Sequence, residues 1–388
     1  MPRAVIVLGI IAFCVAVGFG VLVPVLPVFA RTFGVGNFEV GAVISAFALM
    51  RLVSAPFCAR MITRFGERLV LGVGMYLVAV SAGFAGLAQT YPQLLVLRGV
   101  GGIGSAMFTV SAMTLLLASV TPDRRGRATG FFQGGFLIGS MAGPAIGGGL
   151  STISLSAPFF FYGGALVVAG TVGLILLRSS GSGPTDGSVP PVPLRQLFAD
   201  RRFQAACFTN LAQGWTSFGV RSSLVPVLIV DVLHGQPAWT GIAFAVASVV
   251  QTIAVAPAAR ITDSVGRRPA MIIGCLVGGV AVVAIPFAPN IVVLVAVLCL
   301  YGIAAAFLGT APAAAVGDAA GGRAGRGVAV FSMCADFGAI VGPLVAGVLA
   351  DHVSYPVAFG AGAVLIFVAA GLSFRMPGTR PPVAAREG

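Results

Sequence analysis

Residues 139–148 read Gly139-Ser-Met-Ala-Gly143-Pro144-Ala-Ile-Gly147-Gly148, and residues 338–347 read Gly338-Ala-Ile-Val-Gly342-Pro343-Leu-Val-Ala346-Gly347. Both are G-x-x-x-G-P-x-x-[GA]-G, and they stand 199 residues apart in a chain of 388. Gly139, Gly143 and Gly147 recur every fourth residue, so on a helix they share one face. A face of small residues lets a second helix approach closely in a membrane. Pro144 removes a backbone donor and bends the helix. Two readings follow for the stripe: a bend and sliding surface between two halves, or plain close packing.

The surroundings of both copies are apolar. Hydrophobic residues make up 58% of the chain and charged residues 9%, against about a quarter charged in soluble domains. The mean hydropathy is +1.03. Twelve apolar stretches are long enough to cross a bilayer: 4–29, 39–59, 69–88, 93–117, 128–150, 158–177, 204–230, 239–259, 270–288, 290–310, 327–350 and 356–374. In lipid only helices and closed barrels satisfy their own backbone, so these are expected to be helices. The first is long and is followed by many more, and is read as a retained span, not a cleaved signal.

The net charge of +12 is carried by 23 Arg with no Lys. With the N-terminus inside, 19 of these Arg lie in cytoplasmic segments, Arg31 lies outside, and Arg51, Arg98 and Arg221 lie within spans. That asymmetry is the positive-inside pattern of a multi-pass membrane protein, not a nucleic-acid footprint. Both termini are therefore expected in the cytoplasm. The all-Arg usage suggests a high-GC bacterial genome. The six cysteines are scattered through the apolar runs and read as small core residues. His234 and His352 fall in predicted outer loops. No metal cluster or nucleophile–base arrangement is visible, and no cofactor is expected.

The chain is doubled beyond its opening signature. Residues 178–201, polar and rich in Gly, Pro and Ser, read as a flexible cytoplasmic linker between a six-helix half at 1–177 and another at 202–376, with a tail at 377–388. Ala59-Arg60-Met-Ile-Thr63-Arg64-Phe-Gly66-Glu67-Arg68 corresponds to Ala259-Arg260-Ile-Thr-Asp263-Ser-Val-Gly266-Arg267-Arg268. Arg124-Arg-Gly126-Arg127 corresponds to Arg323-Ala-Gly325-Arg326, and Val23-Pro24-Val25-Leu26 to Val225-Pro226-Val227-Leu228. Duplicated halves are a common transporter plan.

These motifs resemble the major facilitator superfamily, most closely its bacterial twelve-helix drug:proton antiporters, and the resemblance covers essentially the whole chain. The loop at 59–68 resembles that superfamily's G-x-x-x-D-R-x-G-R-R loop, with Ala59, Thr63 and Glu67 departing from it. The second copy keeps the acid as Asp263. Arg98-Gly-Val-Gly101-Gly102-Ile-Gly104-Ser-Ala106 resembles the R-x-x-x-G-x-G-x-A motif of helix four, and 139–148 resembles the helix-five antiporter signature. The resemblance implies an all-α, twelve-helix fold in two pseudo-symmetric bundles, and a part for Arg98 in proton coupling. It also implies a pathway lined by helices one, four, seven and ten. The polar and aromatic members there are Phe19, Phe108, Asn210, Gln213, Trp215, Phe218 and Tyr301.

Intramembrane charge carries the remaining chemistry. Arg in a span costs about 2.5–3.5 kcal/mol on insertion scales, so Arg98 should face a cavity or a partner. Asp336 is the one acid well inside a predicted span, two residues before Gly338. A carboxyl there can exchange a proton near neutral pH, which makes it the expected coupling group. Arg51 and Arg221 lie midway along their spans and either pair with an acid or meet an anionic substrate group. The loop residues Gly66, Arg68 and Asp263 are expected to serve a cytoplasmic gate, with the two Gly/Pro stripes, including Gly148, Gly342 and Pro343, allowing the halves to move. The expectation is a monomeric transporter of the bacterial plasma membrane, not an enzyme. Its partners are a small lipophilic substrate, protons and membrane lipids. The alternatives are export of an anionic or amphipathic metabolite or lipid, and a non-transporting membrane receptor or enzyme.

Overall fold

The computed structural model describes residues 2–121, 124–177, 194–319 and 325–377. The elements there are helical. In order they are α1 (Arg3–Leu22), α2 (Leu26–Arg31), α3 (Asn37–Phe65), α4 (Glu67–Ala85), α5 (Tyr91–Ala118), α6 (Arg125–Ser151), α7 (Ala157–Leu176) and α8 (Leu194–Ala199). They continue with α9 (Arg201–Gly214), a π-helical segment Trp215–Ser222, α10 (Ser223–Asp231), α11 (Pro237–Ser264), α12 (Arg267–Ala284), α13 (Ile291–Ala319), α14 (Gly325–His352) and α15 (Tyr355–Phe374).

Among the described residues, ten helices are long and apolar enough to cross a membrane. The other two expected spans are present in other forms. The fifth is α6, whose 27 residues include the first glycine stripe. The seventh, expected as one helix over 204–230, is three pieces: α9, the π-helical segment and α10. The first is also broken, because the chain leaves the helix at Val23–Val25 around Pro24 and resumes as α2. In the expected linker, residues 178–193 lie outside the described residues. Residues 194–199 are helical, and the Asp200 side chain caps α9 by accepting from the Arg202 amide at 2.7 Å.

The chain divides into two compact units, residues 1–186 with 222–245, and residues 187–221 with 246–388. The end of span seven and the start of span eight thus group with the first unit.

Within each unit the glycine stripe meets the unit's first long helix. A methyl added at Gly139 would lie 2.4 Å from the Phe13 carbonyl oxygen, and one at Gly147 2.2 Å from that of Val21. At Gly143 it would meet the Gly20 Cα at 2.6 Å. In the second unit, a methyl at Gly338 would meet the Leu211 carbonyl at 2.2 Å and one at Gly342 the Trp215 Cα at 2.9 Å. Backbone therefore touches backbone along both α1–α6 and α9–α14, the close packing that small residues allow. The other repeated contact joins spans two and four: Gly102 on the Phe47 carbonyl, Gly302 on that of Ala247, at 2.3 and 2.7 Å for an added methyl. The loop glycines Gly66 (φ 82°) and Gly266 (φ 117°) sit at equivalent turns after α3 and α11. Both hold a positive φ that only glycine adopts without strain.

Gly143→Val is expected to destabilise the protein by about 1–3 kcal/mol, the range for overpacking. Gly360→Ala, with nothing within 4 Å of the added methyl, should leave thermal unfolding in detergent unchanged. Equal melting of the two variants would show that the stripe is not a tight contact.

Candidate functional site

In the first unit the polar centre is built on Arg98. Its position on α5 is set by the glycines that follow: Gly101, Gly102 and Gly104 bring α5 against α3 and α4. Arg98 is buried, at 6% exposure. Its guanidinium lies 4.5 Å from the centre of the Phe47 ring on α3, well inside cation–π range. The buried Arg98 Nε has no hydrogen-bond partner among the described residues. The Phe47 ring in turn stands 5.9 Å from that of Phe19 on α1. Tyr162 of α7 is buried, and its ring occupies the space a side chain at Gly18 would need.

In the second unit the polar centre lies at the π-helical segment. The buried Tyr301 hydroxyl on α13 is 3.1 Å from both the Thr216 and the Ser217 hydroxyl oxygens. Thr216 also donates to the Ala212 carbonyl at 2.9 Å. The Arg221 guanidinium lies 5.9 Å from the Tyr301 ring centre. The wider turn brings two successive hydroxyls, Thr216 and Ser217, to one phenol, and π turns recur at functional sites.

Two charged contacts stand at the ends of the helices. Arg31 at the end of α2 pairs with Asp231 at the end of α10 at 2.8 Å and also donates to the Val35 carbonyl. In the second unit, Arg267 pairs with Asp263 at 3.2 Å and with Asp318 of α13 at 2.9 Å. An apolar cavity of about 440 Å³ lies on α1 and α6, lined by Gly9, Ile10, Phe13, Gly130, Phe131, Gly134, Gly135 and Ile138. Among the described residues no group of three or more His, Cys, Asp or Glu is placed to hold a metal ion.

The profile of the Major Facilitator Superfamily matches this chain over residues 8–234 and again over 206–388. The chain belongs to the Major Facilitator Superfamily. Its members are transporters and not enzymes. Over 188 residues it is 27% identical to the quinolone resistance protein NorA of Staphylococcus aureus, 48% of each chain. Over 213 residues it is 27% identical to multidrug resistance protein 1 of Bacillus subtilis, 54% of each. These matches span about half the length of the curated relatives. The fold is also that of a bacterial homologue of the human lysosomal transporter Spinster in an inward-facing, unoccupied conformation, with TM-score 0.78 and 17% identity over 96% of this chain and 95% of that one. It is likewise that of the nucleoside transporter NupG, with TM-score 0.73 and 14% identity over 96% and 99%.

The side chains expected from sequence to serve this superfamily's pathway are placed as follows. Phe19 and Arg98 come together through Phe47, and Tyr301 with Arg221. Phe108 is buried beside Tyr162 and Ser105 at a cleft of about 10 Å³, room for one water at most. Asn210 donates to the Phe331 carbonyl at 2.7 Å and so ties α9 to α14. Trp215 packs on Gly342 and Gly362 inside the second unit. Its indole nitrogen and the Gln213 amide oxygen are buried without partners among the described residues. Phe218, Arg51 and Asp336 are half-buried on the π-helical segment, α3 and α14. Pro144 and Pro343 lie inside α6 and α14. Gly148 packs on Gly241. Arg68 donates to the Leu174 carbonyl, and Asp263 is exposed beside Arg267. Sequence reasoning passed over Phe47, Tyr162, Thr216, Ser217, Asp318, the Arg31–Asp231 pair and the apolar cavity. The recurring Gly130, Gly134 and Gly135 among aromatics were the one local signal for the cavity.

Tyr301→Phe removes a hydroxyl shared by two partners and is expected to cost about 1 kcal/mol of stability. A thermal melt unchanged from wild type would show that the Thr216–Tyr301–Ser217 cluster contributes nothing to the fold.

Proposed function

We propose that this protein is a proton-coupled exporter of small lipophilic compounds that works by alternating access. The observation that carries the reading is the apolar cavity of about 440 Å³ on α1 and α6. Its volume falls within the range of about 300–1,000 Å³ typical of small-molecule sites, and its lining suits an apolar ligand. The names of the relatives, a quinolone resistance protein and a multidrug resistance protein, support the same class. In this reading the termini are cytoplasmic, following the Arg asymmetry of the sequence.

Asp336 is the coupling carboxylate in this mechanism, and Arg98 is its second coupling residue. Asp336→Asn is expected to insert and fold normally and to abolish efflux driven by a proton gradient. Undiminished, protonophore-sensitive efflux from vesicles containing that variant would remove Asp336 from the mechanism.

The Arg31–Asp231 pair closes the end of the pathway opposite the termini and must part when that end opens. Its side chains are 35% and 37% exposed, so it contributes about 0.2–1 kcal/mol to the closed state. Arg31→Ala should therefore shift the balance toward the open state by up to about five-fold. Spin-label distances across that end measure the shift, and Arg31→Asp with Asp231→Arg should restore the original balance. Unchanged distances in Arg31→Ala would mean that the pair does not gate.

A second reading is export of an anionic or amphipathic compound. Arg51, Arg98 and Arg221 within spans against the single acid Asp336 favour it. Proteoliposomes offered cationic dyes and anionic lipophiles in parallel separate the two.

A further inference from the structure

A second cavity, of about 350 Å³, lies between the start of α9 and the end of α15, lined by Arg201, Gln204, Ala205, Leu372 and Arg375. It is far in sequence from the first-unit cavity, and neither transport nor gating as described above uses it. Arg201 is the first residue of α9 and Arg375 directly follows α15. Both therefore sit where spans seven and twelve reach the membrane boundary, at the end of the bundle that bears the C-terminus.

The cavity is built to receive an anion. Arg201 and Arg375 are exposed, and neither is ion-paired among the described residues. Asp200, the acid adjacent to Arg201 in sequence, accepts from the backbone amide of Arg202 at 2.7 Å, and its single charge is outweighed by the two guanidinium groups. Gln204 is held by a 2.6 Å bond from its Nε2 to the Phe198 carbonyl. Its oxygen and second N–H remain for solvent or a ligand.

The surroundings point to a lipid as the source of that anion. The short helix α8 is amphipathic: Leu197 is buried in a core cluster with Phe203 and Met376, and Arg195 and Phe198 face outward. Phe198 is 49% exposed and Phe374, next to Arg375, is 52% exposed. These exposed rings, three residues before Arg201 and directly before Arg375, put apolar surface close in sequence to both cations, which suits a headgroup that carries acyl chains. Arg near an anionic leaflet is attracted to it, and its fork geometry matches a phosphate.

We propose that this cleft is a headgroup site for an anionic phospholipid, with the phosphate held by Arg201 and Arg375 and positioned by Gln204. The occupied site ties α8 and α9 to α15 at one edge of the second unit.

The test uses the full-length protein in nanodiscs of mixed phosphatidylglycerol and phosphatidylcholine, with retained lipid counted by mass spectrometry. Wild type should retain phosphatidylglycerol in excess of its bulk share. R201Q/R375Q should reduce that excess roughly ten-fold or more, R201K/R375K should keep most of it, and R60Q/R64Q, exposed in the last turns of α3, should match wild type. If R201Q/R375Q does not fold, R375Q alone against R375K gives the same comparison. Unchanged enrichment in the Gln variants overturns the proposal. Melting in uncharged micelles provides the second arm: stabilisation by inorganic phosphate equal to that by phosphatidylglycerol would show a free-phosphate site and overturn the lipid assignment.

Discussion

Contact of backbone with backbone between α1 and α6, and between α9 and α14, is the constraint on which the rest of the molecule depends. In lipid, apolar side chains gain nothing by leaving one apolar phase for another, so helix association rests on close packing. Glycines 139, 143 and 147 supply that closeness in one unit, and glycines 338 and 342 in the other. Both stripes meet their partner near the place where it stops being a regular α-helix. Gly143 touches Gly20 three residues before the break at Val23–Val25, and Gly342 touches Trp215 at the start of the π-helical segment. The irregular turns are thus supported by a neighbour with no side chain to displace.

Duplication kept the packing and discarded much of the chemistry. Gly102 on Phe47 and Gly302 on Ala247 are the same contact in the two units. In the first, the cation Arg98 lies one turn earlier on the helix and its guanidinium rests on the Phe47 ring. In the second, the corresponding position is the buried Leu298 and the ring is replaced by Ala247. That cation–π contact offsets about 0.5–2 kcal/mol of the cost of burying the guanidinium. The second unit instead concentrates hydroxyls around Tyr301.

How far these features were legible in the sequence follows from whether each is local. The spans, the stripes and the turn glycines are local: each shows in a run of about twenty residues or fewer. The loop motif at 259–268 was legible as a motif, yet the tie from Arg267 to Asp318 crosses 51 residues and carries no pattern. The pair of Arg31 with Asp231 crosses 200 residues. Trp215 looked like a pathway residue because it sits among Asn210 and Gln213. It packs on Gly342 and Gly362, contacts 127 and 147 residues away that carry no local pattern.

The sequence by itself determined that this chain is a doubled set of membrane helices of the Major Facilitator type. A bilayer demands long apolar runs, and close helix contact demands small residues at a fixed spacing, both of which are written along the chain. Only the tertiary structure decided where spans one and seven break, which ring holds Arg98, which hydroxyls meet Tyr301 and where the cavities open. Each residue turns a helix by about 100°, so one irregular turn reassigns every face beyond it. Hydropathy does not register that rotation, whereas the partners of every polar side chain depend on it.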